Sequence, residues 1–174
     1  MIISVEELKE RITTDKPDSV LEEMLAGIET AIRNYTHNYF QHRGFRTVGT
    51  IEGEKLYLDA ALFKAGDTIQ ISESNYNAGL YVVPEGEEAD VIPLPGAADE
   101  ADVLVTKVVY PADVRIGAVN LLKWDLENRE KVGIQSETIS RHSVTYFNMD
   151  GDNSVMGYPK SMLGFLKPYH KARF

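Results

Sequence analysis

Apolar residues recur at spacings of three and four in the first part of the chain. The repeating positions are Leu21, Met24, Leu25, Ile28, Ile32, Tyr35 and Tyr39. This spacing puts side chains on one face of an α-helix, so it predicts a long helix from about Asp18, after a short capped helix over residues 4–12. We interpret the two tyrosines as residues of a packed face and not as base-stacking residues.

A second helical stretch, Pro111–Lys131, is apolar on more than one face. One stripe follows helical spacing and consists of Val114, Ala118, Leu121 and Leu122. Three further apolar residues lie largely off that stripe, namely Ile116, Val119 and Leu126. So wide an apolar surface requires two packing partners. We therefore predict that the second set contacts a neighbouring subunit.

Short β-type runs replace the helical pattern between Gly44 and Tyr110. They are Lys55–Leu58, Thr68–Ser72, Leu80–Val83, Val91–Ile92 and Val103–Tyr110. Glycine, asparagine and proline turns separate the runs, a pattern typical of short antiparallel strands. We predict four or five strands that form a small barrel or curled sheet, inserted where one helix connects to the next.

The C-terminal part begins at Gly133, which ends the preceding helix. Residues 134–147 are rich in threonine, valine and aromatic residues, which favours a strand or an extended arm. A short helix is predicted from Pro159 to Pro168, and residues 167–174 follow as a basic, aromatic end that we expect to be mobile.

These elements predict an α+β fold. Residues 1–43 and 111–174 are expected to form a small bundle of three to four helices with a C-terminal extended arm. Residues 44–110 are expected to form the inserted antiparallel β-barrel or sheet. Because closure entropy grows slowly with loop length, such an insertion costs the bundle little stability.

Charge is distributed unevenly along the chain. Residues 44–110 contain 12 acidic and 4 basic residues, whereas residues 133–174 contain 3 acidic and 5 basic residues. The net charge of -9 argues against a protein that grips nucleic acid through many phosphate contacts. No run is long enough to span a membrane, and we expect a cytoplasmic protein.

Catalytic and metal-binding motifs are missing from the sequence. The chain has no cysteine, which excludes thiolate catalysis and cysteine-ligated metals. The segment Asp150–Asn153 lacks the glycine and the glutamate that a calcium loop requires. His142 has serines nearby, but no nucleophile motif accompanies it. We predict a protein that is not an enzyme, with no cofactor and no metal.

Several segments, taken in order, resemble a known family. They are Ile32–Phe40, Phe63–Ser72, Asn77–Tyr81, Val108–Val114, Gly133–Ser143 and Tyr158–Leu163. This order resembles the head-tail connector proteins, also called head completion or adaptor proteins, of tailed phages and of prophages in Gram-positive bacteria. The segment from Gln135 to Ser143 is the most distinctive one.

The resemblance implies a structural protein of the virion neck that is made in the host cytoplasm. Family members assemble as a ring, commonly twelvefold, under the portal protein. The ring extends the DNA channel without sequence-specific binding and receives the stopper or tail-completion protein. The family has no catalytic residues, and on this view the β insertion lies on the outside of the ring.

Three sets of residues carry the interactions under this hypothesis. The subunit interface would comprise Ile116, Val119, Leu126, Tyr35 and Tyr39. The arm, facing the channel or a neighbour, would use Gln135, Ser136, Glu137, Arg141 and His142. Docking on the portal would use Lys167, Tyr169, Lys171, Arg173 and Phe174.

Two other functions fit the same pattern. The β segment could be a barrel that binds a peptide or a carbohydrate, with the helices as its scaffold. A hydrolase that uses the region of His142 is the third hypothesis.

Overall fold

The computed structural model describes residues 1–58, 62–84, 91–129 and 152–172, and the backbone of residues 136–139 and 142–145. The chain forms two compact units. The β unit consists of Met1 and Tyr39–Tyr110, and the helical unit consists of Ile2–Asn38 and Pro111–Phe174.

Six antiparallel strands build the β unit. They are β1 (Gln41–Glu52), β2 (Lys55–Leu58), β3 (Thr68–Ser72), β4 (Gly79–Val82), β5 (Val91–Pro93) and β6 (Glu100–Val108). Their order in the sheet is β4-β3-β6-β1-β2-β5, and the sheet curls into a half-barrel. Strands β6 and β1 therefore lie in the middle; β3 pairs with β6 and β2 pairs with β1, while β4 and β5 form the two edges.

One face of the sheet forms the core of the β unit. Its buried residues are Ile51, Leu56, Leu58, Phe63, Ile69, Ile71, Val83, Ile92, Leu94, Val103 and Val105. Alternation along β6 places Val103 and Val105 in this core and leaves Leu104 half-buried on the outer face. A side chain at Gly49 would lie 2.8 Å from Leu56 and 2.9 Å from Leu58, so β1 approaches β2 closely at that glycine.

Three α-helices and one 3-10 helix are described in the helical unit. They are α1 (Val5–Lys9), α2 (Asp18–Thr36), α3 (Ala112–Asn128) and the 3-10 helix Lys160–Tyr169. Two antiparallel hairpins accompany them: β7 (Ser136–Ile139) with β8 (His142–Thr145), and β9 (Ser154–Val155) with β10 (Tyr158–Pro159).

The start of α1 is capped as the sequence predicted in one respect. The Ser4 hydroxyl accepts a hydrogen bond from the Glu7 amide at 3.2 Å, which confirms that half of the capping box. The Glu7 carboxylate instead forms ion pairs with Arg11 and Arg115. Since Arg115 belongs to α3, Glu7 connects the first helix to the third.

The buried face of α2 is less apolar than the sequence indicated. It contains Leu21, Leu25, Ile28 and Ile32, but also Glu29, Arg33 and Thr36. Met24 and Tyr35 are only half-buried. Polar residues thus occupy the same side of the helix as the leucines and isoleucines.

The C-terminal half of α3 is held by a polar and aromatic cluster. Asp125 accepts a hydrogen bond from the Tyr158 hydroxyl at 2.5 Å and forms an ion pair with Arg129. The Arg129 guanidinium lies 5.3 Å from the Trp124 ring and 5.1 Å from the Tyr158 ring. Burial, and then the Asp125 carboxylate, raise the pKa of Tyr158 well above its usual range. The tyrosine therefore stays neutral and donates a hydrogen bond to Asp125.

The predicted fold class is wrong. A curled six-stranded sheet forms a strand-rich core, in place of a helical bundle that carries a small insertion. Strand β1 was not predicted, although it is a central strand of 12 residues. Residues 42–46 of β1 are all exposed, so hydrophobic alternation does not mark the strand, and backbone pairing on both sides defines it instead.

The short helix predicted from Pro159 to Pro168 is confirmed, with one difference at its C-terminal end. Residues Lys160–Tyr169 form a 3-10 helix whose Leu163 and Leu166 are buried. The proline at position 168 lies inside this helix and does not terminate it. Burial of two leucines fixes the segment, because each fully buried leucine contributes roughly 1.5–3 kcal/mol.

The contact between Gly117 and Phe165 provides a test of this packing. A Cβ atom at Gly117 would lie 2.2–2.6 Å from three atoms of the Phe165 ring, so the ring must move if the glycine is replaced. We expect Gly117→Ala to lower the free energy of unfolding by about 1–3 kcal/mol, despite the better helix propensity of alanine.

Gly27 in α2 is the matched control, because no atom lies within 4 Å of its added Cβ. Gly27→Ala should raise the free energy of unfolding by up to about 1 kcal/mol. Urea denaturation followed by circular dichroism measures both variants. Equal stabilisation by the two alanines would contradict the described packing of Phe165.

Candidate interaction surfaces

The exposed face of α3 contains one large apolar residue among polar ones. Asp113, Asn120, Lys123 and Glu127 are exposed at helical spacing, and Ile116 lies among them with 51% of its surface exposed. The opposite face packs inside the helical unit through Val114, Ala118, Leu121 and Leu122. About half of the Ile116 side chain is therefore available to a partner.

A groove of about 660 Å³ lies beside the C-terminal half of α3 in the helical unit. Its lining comes from the segment that follows α1 and from α3: Arg11, Ile12, Thr13, Thr14, Asp15, Lys16, Lys123, Leu126 and Glu127. Ile12 and Leu126 are half-buried and form its apolar part, while Lys16 and Lys123 are exposed. The groove was not predicted from the sequence, because the residues that line its two sides are far apart along the chain.

The five predicted interface residues occupy different environments. Ile116 is exposed on α3, and Leu126 lines the groove. Val119 is only 7% exposed and packs within the helical unit. Tyr35 contacts the His170 ring edge-on at 4.5 Å between centroids, and Tyr39 is 54% exposed in the β unit. Ile116 and Leu126 are thus the two α3 residues of this set that remain accessible.

The predicted arm residues lie partly outside the described part of the chain. Gln135 and Arg141 are outside it. Ser136, Glu137 and His142 belong to the β7–β8 hairpin, in which Ser136 pairs with Thr145 and Ile139 pairs with His142. The arm is therefore a hairpin over those eight residues.

The C-terminal segment contacts its own helical unit. The Tyr169 hydroxyl donates to Asp113, with oxygen–oxygen distances of 2.8 and 2.9 Å, and this bond raises the pKa of Tyr169. The Lys171 amide donates to the Thr36 carbonyl at 2.8 Å. Lys167 and Lys171 are exposed, whereas Arg173 and Phe174 lie outside the described residues. Of the predicted portal-docking residues, the two lysines face solvent.

The loop between β3 and β4, residues 73–78, exposes Tyr76. This tyrosine was not among the site residues predicted from the sequence. Tyr76 is 76% exposed. The Glu100 carboxylate accepts hydrogen bonds from the Ser74 hydroxyl at 2.5 Å, the Asn75 amide at 2.6 Å and the Asn77 side chain at 3.0 Å. These bonds hold the loop from inside and leave the tyrosine ring outside.

Asn77 fixes the same loop to the segment before β6. It is 4% exposed, and both ends of its amide bind the backbone of Ala98 at 2.9 Å. The hydroxyl of Ser74, followed by the amide of Asn75, lowers the pKa of Glu100. In the sequence, a single tyrosine flanked by asparagine and serine residues is the pattern that would have indicated such an exposed loop.

The described residues contain no cluster of metal-ligand side chains. Across residues 1–58, 62–84, 91–129 and 152–172, no three His, Asp or Glu side chains gather closely enough to hold a metal ion. No helix in the described part of the chain combines the length and apolar content of a membrane crossing.

No protein-family model matches the chain, and no curated protein is significantly similar to it. The resemblance to connector proteins therefore stays a prediction from the sequence.

The carboxylate of Glu100 gives a pH test of the loop. Because its pKa lies below the ordinary value of 4.5, the restraint is fully present above pH 4.5 and is lost as the pH falls through the lowered pKa. The amide signals of Asn75 and Tyr76 should shift in that lower pH window in an NMR titration.

Glu100→Gln is the matched variant, because it keeps the shape but cannot ionise. Its loop amides should show no such titration and should exchange with solvent faster than those of the wild type at neutral pH. Two results would contradict the assigned role of Glu100. One is a shift of the loop amide signals at the pH where ordinary carboxylates titrate, and the other is loop amides that behave the same in the variant and in the wild type.

Proposed function

We propose that this chain is the subunit of a head-tail connector ring, which binds under the portal of a tailed phage and surrounds the DNA channel. The family resemblance of the sequence suggests this function. The observation that carries it is the exposed face of α3, where Ile116 lies on the same helix as the groove lined by Leu126. In this proposal the ring receives the stopper or tail-completion protein.

A ring requires two different surfaces on each subunit. A subunit that contacts its neighbour through unlike surfaces forms a closed ring when the rotation closes. The helical unit offers a concave groove and an exposed isoleucine, which are two different surfaces of the kind that a head-to-tail contact can join.

Charge also supports a channel function. The β unit contains 12 acidic and 5 basic residues, and the helical unit contains 15 and 13. Neither unit has the excess of lysine and arginine that grips phosphates. DNA could therefore slide past such a subunit without being held. The exposed Lys167 and Lys171 are the cations that we propose for contact with an acidic portal surface.

The alternative of a ligand-binding β module receives less support. The outer side of the sheet has a cavity of about 160 Å³ lined by Val48, Gly49, Thr50, Tyr57, Leu58 and Asp102. Pockets for small ligands usually enclose roughly 300–1,000 Å³. This cavity is therefore too small to enclose such a ligand.

Substitution of Ile116 tests the connector proposal. Co-expressed with the portal protein of its own genome, the wild-type chain should co-purify with the portal as a large ring. Ile116→Glu should weaken each subunit contact about tenfold or more, as loss of an apolar anchor does. Its melting temperature should stay near that of the wild type, because the residue is half exposed. Size-exclusion chromatography with light scattering measures the assembly.

Val48→Glu is the control, since Val48 is 46% exposed but belongs to strand β1 and lines neither the groove nor the exposed face of α3. This variant should still assemble on the portal. Failure of the wild-type chain to bind the portal would refute the connector function. Normal assembly of Ile116→Glu would refute the role given to α3.

A further inference from the structure

The Tyr76 loop has the properties of an interaction anchor. Its tyrosine is the most exposed of the large hydrophobic side chains described. Glu100 and Asn77 already hold the backbone in place, so a partner that binds this ring orders no loop on association. Rigid aromatic side chains of this kind frequently dominate interface energies.

The surroundings of Tyr76 are acidic. Residues 73–79 and 95–102 contain four acidic residues, Glu73, Asp99, Glu100 and Asp102, and no lysine or arginine. Hydrogen bonds from Asn75 and Asn77 bring these two segments together. A partner for this loop must therefore combine an apolar cleft with cations at its rim.

The groove of the helical unit meets that description. Ile12 and Leu126 provide apolar surface, and the exposed Lys16 and Lys123 lie in its lining beside Asp15 and Glu127, while Arg11 is already paired with Glu7. Lys123 approaches Glu127 only to 4.0 Å, and 61% of its side chain is exposed, so it remains available to a carboxylate. The groove volume of about 660 Å³ exceeds that of one tyrosine ring.

We propose that Tyr76 of one copy of this chain inserts into the groove between Lys16 and Leu126 of the next copy. The inference rests on the proposed connector function, because it adds to the Ile116 contact a second contact between neighbours in the ring. The loop and the groove are different surfaces, and a head-to-tail contact between them forms a ring when the rotation closes.

Charge disfavours a contact in which the acidic loops of two β units meet. Each β unit has a net charge of -7, whereas the helical unit has a net charge of -2. Pairing of two acidic loops would bring like charges together, while pairing of loop and groove places Glu73 near Lys16 and Lys123. Salt should weaken the proposed contact because these charges are exposed.

Cross-linking of single-cysteine proteins tests the contact, and the chain contains no native cysteine. Asn75→Cys places a thiol beside Tyr76, and Thr14→Cys places one in the groove. The two proteins are mixed with the portal and treated with a short bis-maleimide. We expect a cross-linked pair only in the mixture, since neither protein alone brings its own thiols together.

One variant and two controls make the result specific. Adding Tyr76→Ala to the Asn75→Cys protein should lower the yield of cross-linked pairs about tenfold. Adding Tyr57→Ala instead should leave the yield unchanged, because Tyr57 is 42% exposed but lies on the sheet. A thiol at the exposed Glu22, used in place of Thr14, should give no cross-link.

The outcomes separate this inference from the proposed function. A ring that assembles on the portal without cross-linking between positions 75 and 14 would overturn the loop-in-groove contact and leave the connector function standing. Cross-linking of Asn75→Cys with itself would overturn it in favour of a twofold contact. Absence of any ring would overturn both proposals.

Discussion

The pairing of β1 with β6 is the constraint on which the rest of the structure depends. Gln41 pairs with Val108, the Phe40 carbonyl accepts from the Val109 amide at 2.9 Å, and the Phe40 and Tyr110 rings lie 4.9 Å apart. The chain therefore leaves the helical unit after Asn38 and returns at Pro111 through neighbouring positions. Two distant segments can then share one helical unit, because the strand pair between them brings their ends together.

This arrangement separates two tasks between the units. The β unit uses its apolar residues for an internal core and displays a tyrosine on a loop held by Glu100 and Asn77. The helical unit keeps an isoleucine and a partly cationic groove at its surface. A subunit of a closed ring needs such unlike surfaces, and a monomeric protein gains no stability from exposing them.

Local patterns predicted the elements well and the architecture poorly. Helical spacing found α2 and α3, and the short β-type runs coincide with β2, β3, β4, β5 and β6. Strand β1 was not predicted, because Gly44, Gly49 and a run of exposed residues remove the alternation of apolar and polar side chains that marks a strand. Without this central strand, the sheet was predicted to be a small insertion in a helical bundle. The Leu126 groove and the Tyr76 loop depend on contacts between distant residues, which no local spacing contains.

The mass of the complex between this chain and its portal tests the central claim most directly. Native mass spectrometry of the co-purified complex counts the subunits of each protein. A connector ring predicts as many copies of this chain as there are portal subunits, with no stable intermediate of two copies. A complex with a single copy, a twofold dimer that ignores the portal, or a chain that stays monomeric in its presence would contradict the account.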